Sequence, residues 1–181
     1  MTRGARPWQC LSRSDCCRRA ASLLAFVLLS VTANAKTPVR LLVGEVVALA
    51  DGDTVTVLDD RKIPHKVRLA GIDAPEHGQP FSVHSRQALA ATALRRRVSV
   101  EWHKTDRFGR LVGKVMIGDV DICLEQIKAG MAWHYKQFEK EQSEFDRVRY
   151  AQAELAARNL RLGLWSDSRP IAPWDFRHHR H

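Results

Sequence analysis

From position 41 to 50 the chain is apolar and β-branched, a polar Asp51-Gly52-Asp53 step follows, and residues 54–58 alternate again. An Asp-Gly step between two such runs predicts a hairpin. After polar residues 59–62, positions 65–72 predict a third strand, so three strands follow one another as a meander. Pro80 interrupts the chain, and residues 82–97 take a helical period with Val83, Leu89, Ala90, Ala93 and Leu94 on one face. Strand patterning returns at 98–103 and 111–117, on either side of a polar turn at 104–110. A short helix is predicted from Asp121 as N-cap to Gly130, and a short extended piece at 133–135. The last helix opens on Ser143-x-x-Asp146, which resembles a capping box. Phe145, Val148, Ala151 and Leu155 form its apolar stripe, Arg158 and Arg161 sit in its final turn, and Gly163 is its expected C-cap.

The order is three strands, a helix, two strands and two helices. It predicts an α+β fold dominated by β-structure: a five-stranded closed barrel of the OB type carrying three helices.

The N-terminal 35 residues have a different pattern. Five arginines (Arg3, Arg6, Arg13, Arg18, Arg19) precede an apolar run at 20–32, and Ala33-Asn34-Ala35 follows as a small-x-small step. This is the layout of a secretory signal, and a run of that length is too short to span a bilayer as a helix. The domain expected after cleavage covers 36–169, with 170–181, rich in Pro, Arg and His, as a surface tail. The product is then exported, periplasmic or secreted, with no stable membrane association after cleavage. Nothing in the pattern demands more than a monomer.

With 45% hydrophobic and 27% charged residues, the composition of the 181-residue chain is that of an ordinary globular protein. Its formal charge of +9 falls to +5 once the five arginines and single aspartate of residues 1–35 are removed. That excess favours a polyanionic partner without establishing one. The same cut leaves Cys123 as the single cysteine, so the domain cannot be stapled internally. Its Ile122 and Leu124 neighbours predict a buried thiol and not a nucleophile.

Four segments carry candidate chemistry: Asp51-Gly52-Asp53-Thr54, Val67-Arg68-Leu69, Gly71-Ile72-Asp73-Ala74-Pro75-Glu76 and Asp106-Arg107-Phe108-Gly109-Arg110. Singly, they read as a hairpin turn, an exposed strand arginine, a helix-entry turn and a solvated β-turn. Together they place three acids and two arginines at strand ends and adjoining loops, where sites are commonly built. Carboxylates with a backbone carbonyl suit a hard cation, Ca²⁺ or Mg²⁺, and no Cys/His cluster points to zinc. Arginine forks match phosphate oxygens, and a nearby glutamate can orient or deprotonate water. These are the parts that phosphodiester hydrolysis requires. Arg68 and Asp73 stand five apart and would face opposite sides of a regular strand. They converge only if the chain bends, for which Gly71 and Pro75 are the expected place.

The motifs DGDT, VRLAGIDAPE, DRFGR and a late GLW at 163–165, in this order, resemble the staphylococcal-nuclease-like family from about Gly44 to Trp165. The terminal Pro173-Trp174-Asp175-Phe176-Arg177 also resembles tails of bacterial homologues. The resemblance implies an OB-fold, Ca²⁺-dependent nuclease that acts on DNA and RNA and leaves 3′-phosphate ends. By the same resemblance Asp53 and Asp73 fall on metal-binding carboxylates. Ala74 falls on a carbonyl ligand usually supplied by Thr, Glu76 on the water-activating glutamate, and Arg68 and Arg110 on the phosphate-binding arginines. The chain departs from the family prototype in a shorter loop at 77–82, in Phe108 for a tyrosine, and in Trp133, His134 and Tyr135 for a tyrosine pair. Phe108, Trp133 and Tyr135 are candidates for stacking on bases, with core burial the competing role for Trp133.

The alternative is a non-catalytic nucleic-acid-binding module on the same barrel. The intact set of acids and arginines argues against it, since clustered carboxylates repel phosphate unless a cation lies between them. The His178-His179-Arg180-His181 run reads as solvated, not as a metal site.

Overall fold

A computed structural model of the chain describes residues 38–179. The expected signal segment therefore lies outside the described residues, as do Arg180 and His181.

Strands β1 (Arg40–Leu49), β2 (Thr54–Asp59) and β3 (Pro64–Leu69) form the antiparallel meander that the alternation predicts. β5 (Arg97–Thr105) pairs with β1, β6 (Leu111–Ile117) pairs with β5, and β6 closes on β3 in parallel register through Val67–Leu111, Arg68–Val112 and Leu69–Gly113. The result is the expected closed five-stranded barrel. Closure leaves the five strands no free edge between β3 and β6. Bulges near Val46 in β1 and Trp102 in β5 add the local bend that a small barrel needs.

Inward positions are almost all β-branched: Val46, Val55, Val57, Val67, Val98, Val100 and Val115 are buried, and Leu69 joins them. Branched side chains fill a pleated interior in few rotamers. Helix α1 (Ser82–Ala93) and helix α2 (Ile122–Lys128) cover the barrel with Leu89, Ala93, Ile122, Leu124 and Ile127. Asp121 caps α2 as expected, accepting from the Leu124 N–H at 3.1 Å, and Cys123 is fully buried.

The expected third strand, 65–72, breaks after Leu69. The chain turns at Ala70-Gly71 and re-enters as β4 (Ile72–Asp73), which pairs with the short strand β7 (Trp133–His134). Gly71 adopts φ +74°, the left-handed region that side chains disfavour, and a Cβ there would lie 2.2 Å from Gln142 Nε2. The bend between Arg68 and Asp73 thus forms where the sequence places it.

Helix α3 (Glu144–Asn159) requires a correction. Ser143 caps it, accepting from the Asp146 N–H at 3.0 Å, but the stripe expected to be buried faces outward, with Phe145 68% and Leu155 59% exposed. The buried face is Tyr150, Glu154 and Ala157. Tyr150 donates to Asp121 Oδ2 at 2.9 Å, and Glu154 accepts from His134 N–H and pairs with Lys136 and Arg158. Polar residues that find buried partners outweighed the apolar periodicity. Similarly, Val83 and Leu94 of the expected α1 face are exposed. The C-cap also moves: α3 ends at Asn159, Arg161 takes the left-handed conformation (φ 52°), and Leu162 N–H bonds Ala157 O.

The final segment is more than a surface tail. Helix α4 (Pro173–His179) is preceded by buried Ala172. Ala172 joins Trp133, Ala157, Leu164 and Trp165 in a second apolar cluster. Among the described residues, no helix is long and apolar enough to cross a membrane.

Candidate active site

Asp53 sits at the end of the β1–β2 turn. Its N–H bonds Asp51 Oδ1 at 2.9 Å and its carbonyl accepts from Leu69 N–H at 2.8 Å, which ties the turn to β3. Gly52 is needed here because of crowding: a Cβ would lie 1.8 Å from Ser85 Oγ of α1, and its carbonyl accepts from Gln126 of α2 at 2.8 Å. The turn is thus wedged between two helices, whereas the sequence suggested a simple hairpin.

Arg68 is not the exposed strand residue its position allows; its side chain is 14% exposed. Nη1 donates to the carbonyls of Leu69 and Ile72, both at 2.9 Å, so the bend is built around the guanidinium. Nη2 lies 2.8 Å from Asp73 Oδ1 and 3.2 Å from Asp53 Oδ2. Two carboxylates twenty residues apart in the chain therefore share one nitrogen, and those oxygens are within about 6 Å of each other. Ala74 adjoins Asp73, and its N–H bonds Asp53 Oδ2 at 2.7 Å.

Arg110 closes the β5–β6 turn. Asp106 Oδ1 accepts from the N–H groups of Phe108 and Arg110, and Oδ2 from Arg110 Nε at 2.7 Å. Although partial burial acts the other way, these bonds hold the Asp106 carboxyl below its usual range. Arg110 Nη1 reaches Thr54 Oγ1 at 3.3 Å, and Thr54 in turn donates to Asp53 Oδ1 at 3.1 Å. Phe108 is exposed beneath the guanidinium groups of Arg107 and Arg110.

Arg177, near the end of α4, was not singled out as a site residue by the sequence. Its Nη2 bonds Asp73 Oδ2 at 2.9 Å, and its Nη1 bonds Glu76 Oε1 at 2.5 Å and Asp73 Oδ1 at 3.3 Å. The terminal Pro-Trp-Asp-Phe-Arg motif was the available signal, but no periodicity links Arg177 to an acid 104 positions earlier. Trp133 is 4% exposed and packs edge-on to Trp165, so the core role prevails over base stacking. Tyr135 stacks flat on Trp174, with centroids 5.4 Å apart.

Burial dominates the electrostatics. It raises the Asp53 carboxyl to about 8, against the pull of Arg68 and with help from Asp51 and Asp73. It also raises Asp73, against Arg177 and Arg68. Arg68 is itself raised: burial would lower it, but Asp53, Asp73 and Asp51 surround it.

Among the described residues, no three His, Cys, Asp or Glu side chains group to hold a metal ion. Asp53 and Asp73 with main-chain oxygen nevertheless fit a hard cation. A carboxylate offers about four acceptor positions. Asp53 uses three, for Thr54 Oγ1, Ala74 N and Arg68 Nη2, and Asp73 uses three, for Arg68 Nη2 and the two Arg177 nitrogens. One position on each is left, and an all-oxygen donor set of this kind suits a hard divalent cation.

The sequence pattern of the family described as staphylococcal nuclease homologue matches residues 66–167. A protein named ParB from Escherichia coli is 38% identical over 174 residues, covering 91% of this chain and 93% of its own length. A micrococcal nuclease of Shigella flexneri is 39% identical over 86% of this chain and 90% of its own. An uncharacterized endonuclease of Haemophilus influenzae is 37% identical over 86% of this chain and 81% of its own. With the barrel closed as the motifs anticipated, and a family pattern spanning more than half the sequence, the chain belongs to the staphylococcal nuclease family.

Proposed function

We propose that this phosphodiester-hydrolysing endonuclease is calcium-dependent, cuts DNA and RNA without regard to the sugar, and leaves 3′-phosphate ends. The observation that carries the reading is the single Arg68 nitrogen in contact with both Asp53 and Asp73. Asp53, Asp73 and the Ala74 carbonyl would hold the ion. Calcium supplies, when bound, the positive charge that the two carboxylates otherwise draw from Arg68.

Arg68 then exchanges a carboxylate acceptor for a phosphate oxygen. Arg110, oriented by Asp106 and within reach of Thr54, binds a second oxygen. Both guanidinium groups counter the negative charge on the phosphoryl oxygens in the transition state. Glu76, 37% exposed at its side chain, takes the proton of an attacking water. The water oxygen bonds to phosphorus, the bond from phosphorus to the 5′-oxygen breaks, and the departing 5′-oxygen acquires a proton. Exposed Phe108 offers a face for an unpaired base.

Export through residues 1–35, to a periplasm or the medium where calcium is plentiful, and action as a monomer complete the reading. Mass spectrometry of the exported protein is expected to show a chain beginning at Lys36.

The test is cleavage of single-stranded DNA and RNA by purified protein. Activity is expected with Ca²⁺, is expected to be lost in chelator, and is expected to fall strongly in Glu76→Gln and in Arg110→Ala. Undiminished activity in any of these overturns the assignment. A salt-sensitive gel shift without products under any divalent ion would replace the reading with the binding module.

A further inference from the structure

Glu76 stands in the irregular segment between β4 and α1 and belongs to no strand or helix. Its main chain is tied down: the N–H bonds Gln79 Oε1 and the carbonyl accepts from Gln79 N–H, both at 2.9 Å. Gln79 Nε2 continues to the carbonyl of Ile171 at 2.6 Å, which fastens this loop to the segment leading into α4. The glutamate side chain is held separately, by Arg177 Nη1 on Oε1 at 2.5 Å, while Nη2 of the same guanidinium bonds Asp73 at 2.9 Å.

α4 is itself anchored. Trp174 lies flat on Tyr135 (7° between planes) and edge-on to Trp133, and Phe176 N–H bonds the carbonyl of buried Ala172. Trp174 and Arg177 are three residues apart, so one side of a short helix carries both the anchor and the arginine. A planar fork spanning two carboxylates fixes both position and orientation, which a point charge on a flexible stem does not. The contact engages Oε1, so Oε2 is not consumed by it.

We propose that Arg177 is a positioning residue of the nuclease reaction: from α4 it holds the Glu76 carboxylate beside Asp73 in the orientation that receives the water proton. The inference rests on the water-activating role of Glu76 given above. It assigns to the C-terminal segment a part in the chemistry, performed through Glu76 and not on the substrate.

The test measures kcat and KM on single-stranded DNA for Arg177→Ala, Arg177→Lys, Glu76→Gln and the double variant Glu76→Gln/Arg177→Ala, with thermal melting of each. Arg177→Ala is expected to lower kcat by about 10- to 100-fold, the scale of a misplaced reacting group, with KM within about twofold. Arg177→Lys should recover part of that loss, and the double variant should be no slower than Glu76→Gln alone. Unchanged or raised kcat in Arg177→Ala overturns the proposal, as does an effect confined to KM. Losses that multiply in the double variant overturn it too, because Arg177 would then act independently of Glu76. Full activity in Glu76→Gln removes the water-activating reading and this inference with it, whereas an inactive Glu76→Gln beside a fully active Arg177→Ala removes the inference alone.

Discussion

The main-chain N–H of Ala74 donates to Asp53 Oδ2 at 2.7 Å across 21 positions of the chain. This bond joins the first turn of the barrel to the short strand that leaves it, and it brings two buried carboxylates to one guanidinium. It also sets up an electrostatic tension that can be measured.

Burial raises Asp53 to about 8, so the folded protein binds that proton more tightly than the unfolded chain, whose carboxyl has the ordinary value of 3.8. The contribution of Asp53 to stability is therefore complete below about pH 4 and is lost as pH rises through about 8. In chelator, the melting temperature of the native sequence should fall between about pH 4 and 8 relative to that of Asp53→Asn, the window in which the folded protein holds a proton that the unfolded chain has released. Calcium should abolish this fall in the native sequence and leave the curve of Asp53→Asn unchanged. Parallel melting curves for the two proteins in chelator would contradict the raised titration of buried Asp53.

Arg110 reaches the Asp53 side through Thr54, while its turn is held independently by the Phe108 and Arg110 N–H bonds to Asp106. Arg110→Ala should lower kcat by about 10²- to 10³-fold, as for loss of one transition-state donor. The far-ultraviolet circular dichroism spectrum should not change. A loss of folded structure that matches the loss of activity would assign Arg110 to the scaffold.

The outward stripe of α3 and its buried face make opposite predictions. Phe145→Ser or Leu155→Ser should shift stability by no more than about 0.5 kcal/mol, as for exposed positions. Tyr150→Phe removes the buried hydroxyl that donates to Asp121 and should cost about 1–3 kcal/mol in urea unfolding. If the serine variants prove the more costly, the helix is rotated relative to the barrel.

Burial, followed by the Asp121 charge, raises the Cys123 thiol to about 12. At pH 8 it should resist a disulfide reagent in the folded protein and react fully in denaturant. Rapid labelling of the native protein would show the α2–β6 packing to be open.

Most of the barrel and the local form of each motif were legible in the sequence. Strand alternation, the bend at Gly71, the caps at Asp121 and Ser143, and the buried cysteine all depend on neighbours within a few positions, where backbone sterics and periodicity act directly. The motifs also contain Asp53 and Asp73, the two acids that meet at Arg68. Which side of α3 faces inward was not legible, because Tyr150 and Glu154 are drawn in by partners at Asp121, His134 and Lys136, far along the chain. Nor was the true environment of Gly52, which is set by Ser85 and Gln126 on two different helices. Arg177 is the extreme case: only closure of the barrel and docking of Trp174 on Tyr135 carry it back to Asp73 and Glu76. Local sterics and hydrophobic period are written into short stretches of chain, whereas the pairing of buried charges is decided by which distant surfaces meet once the core has excluded water.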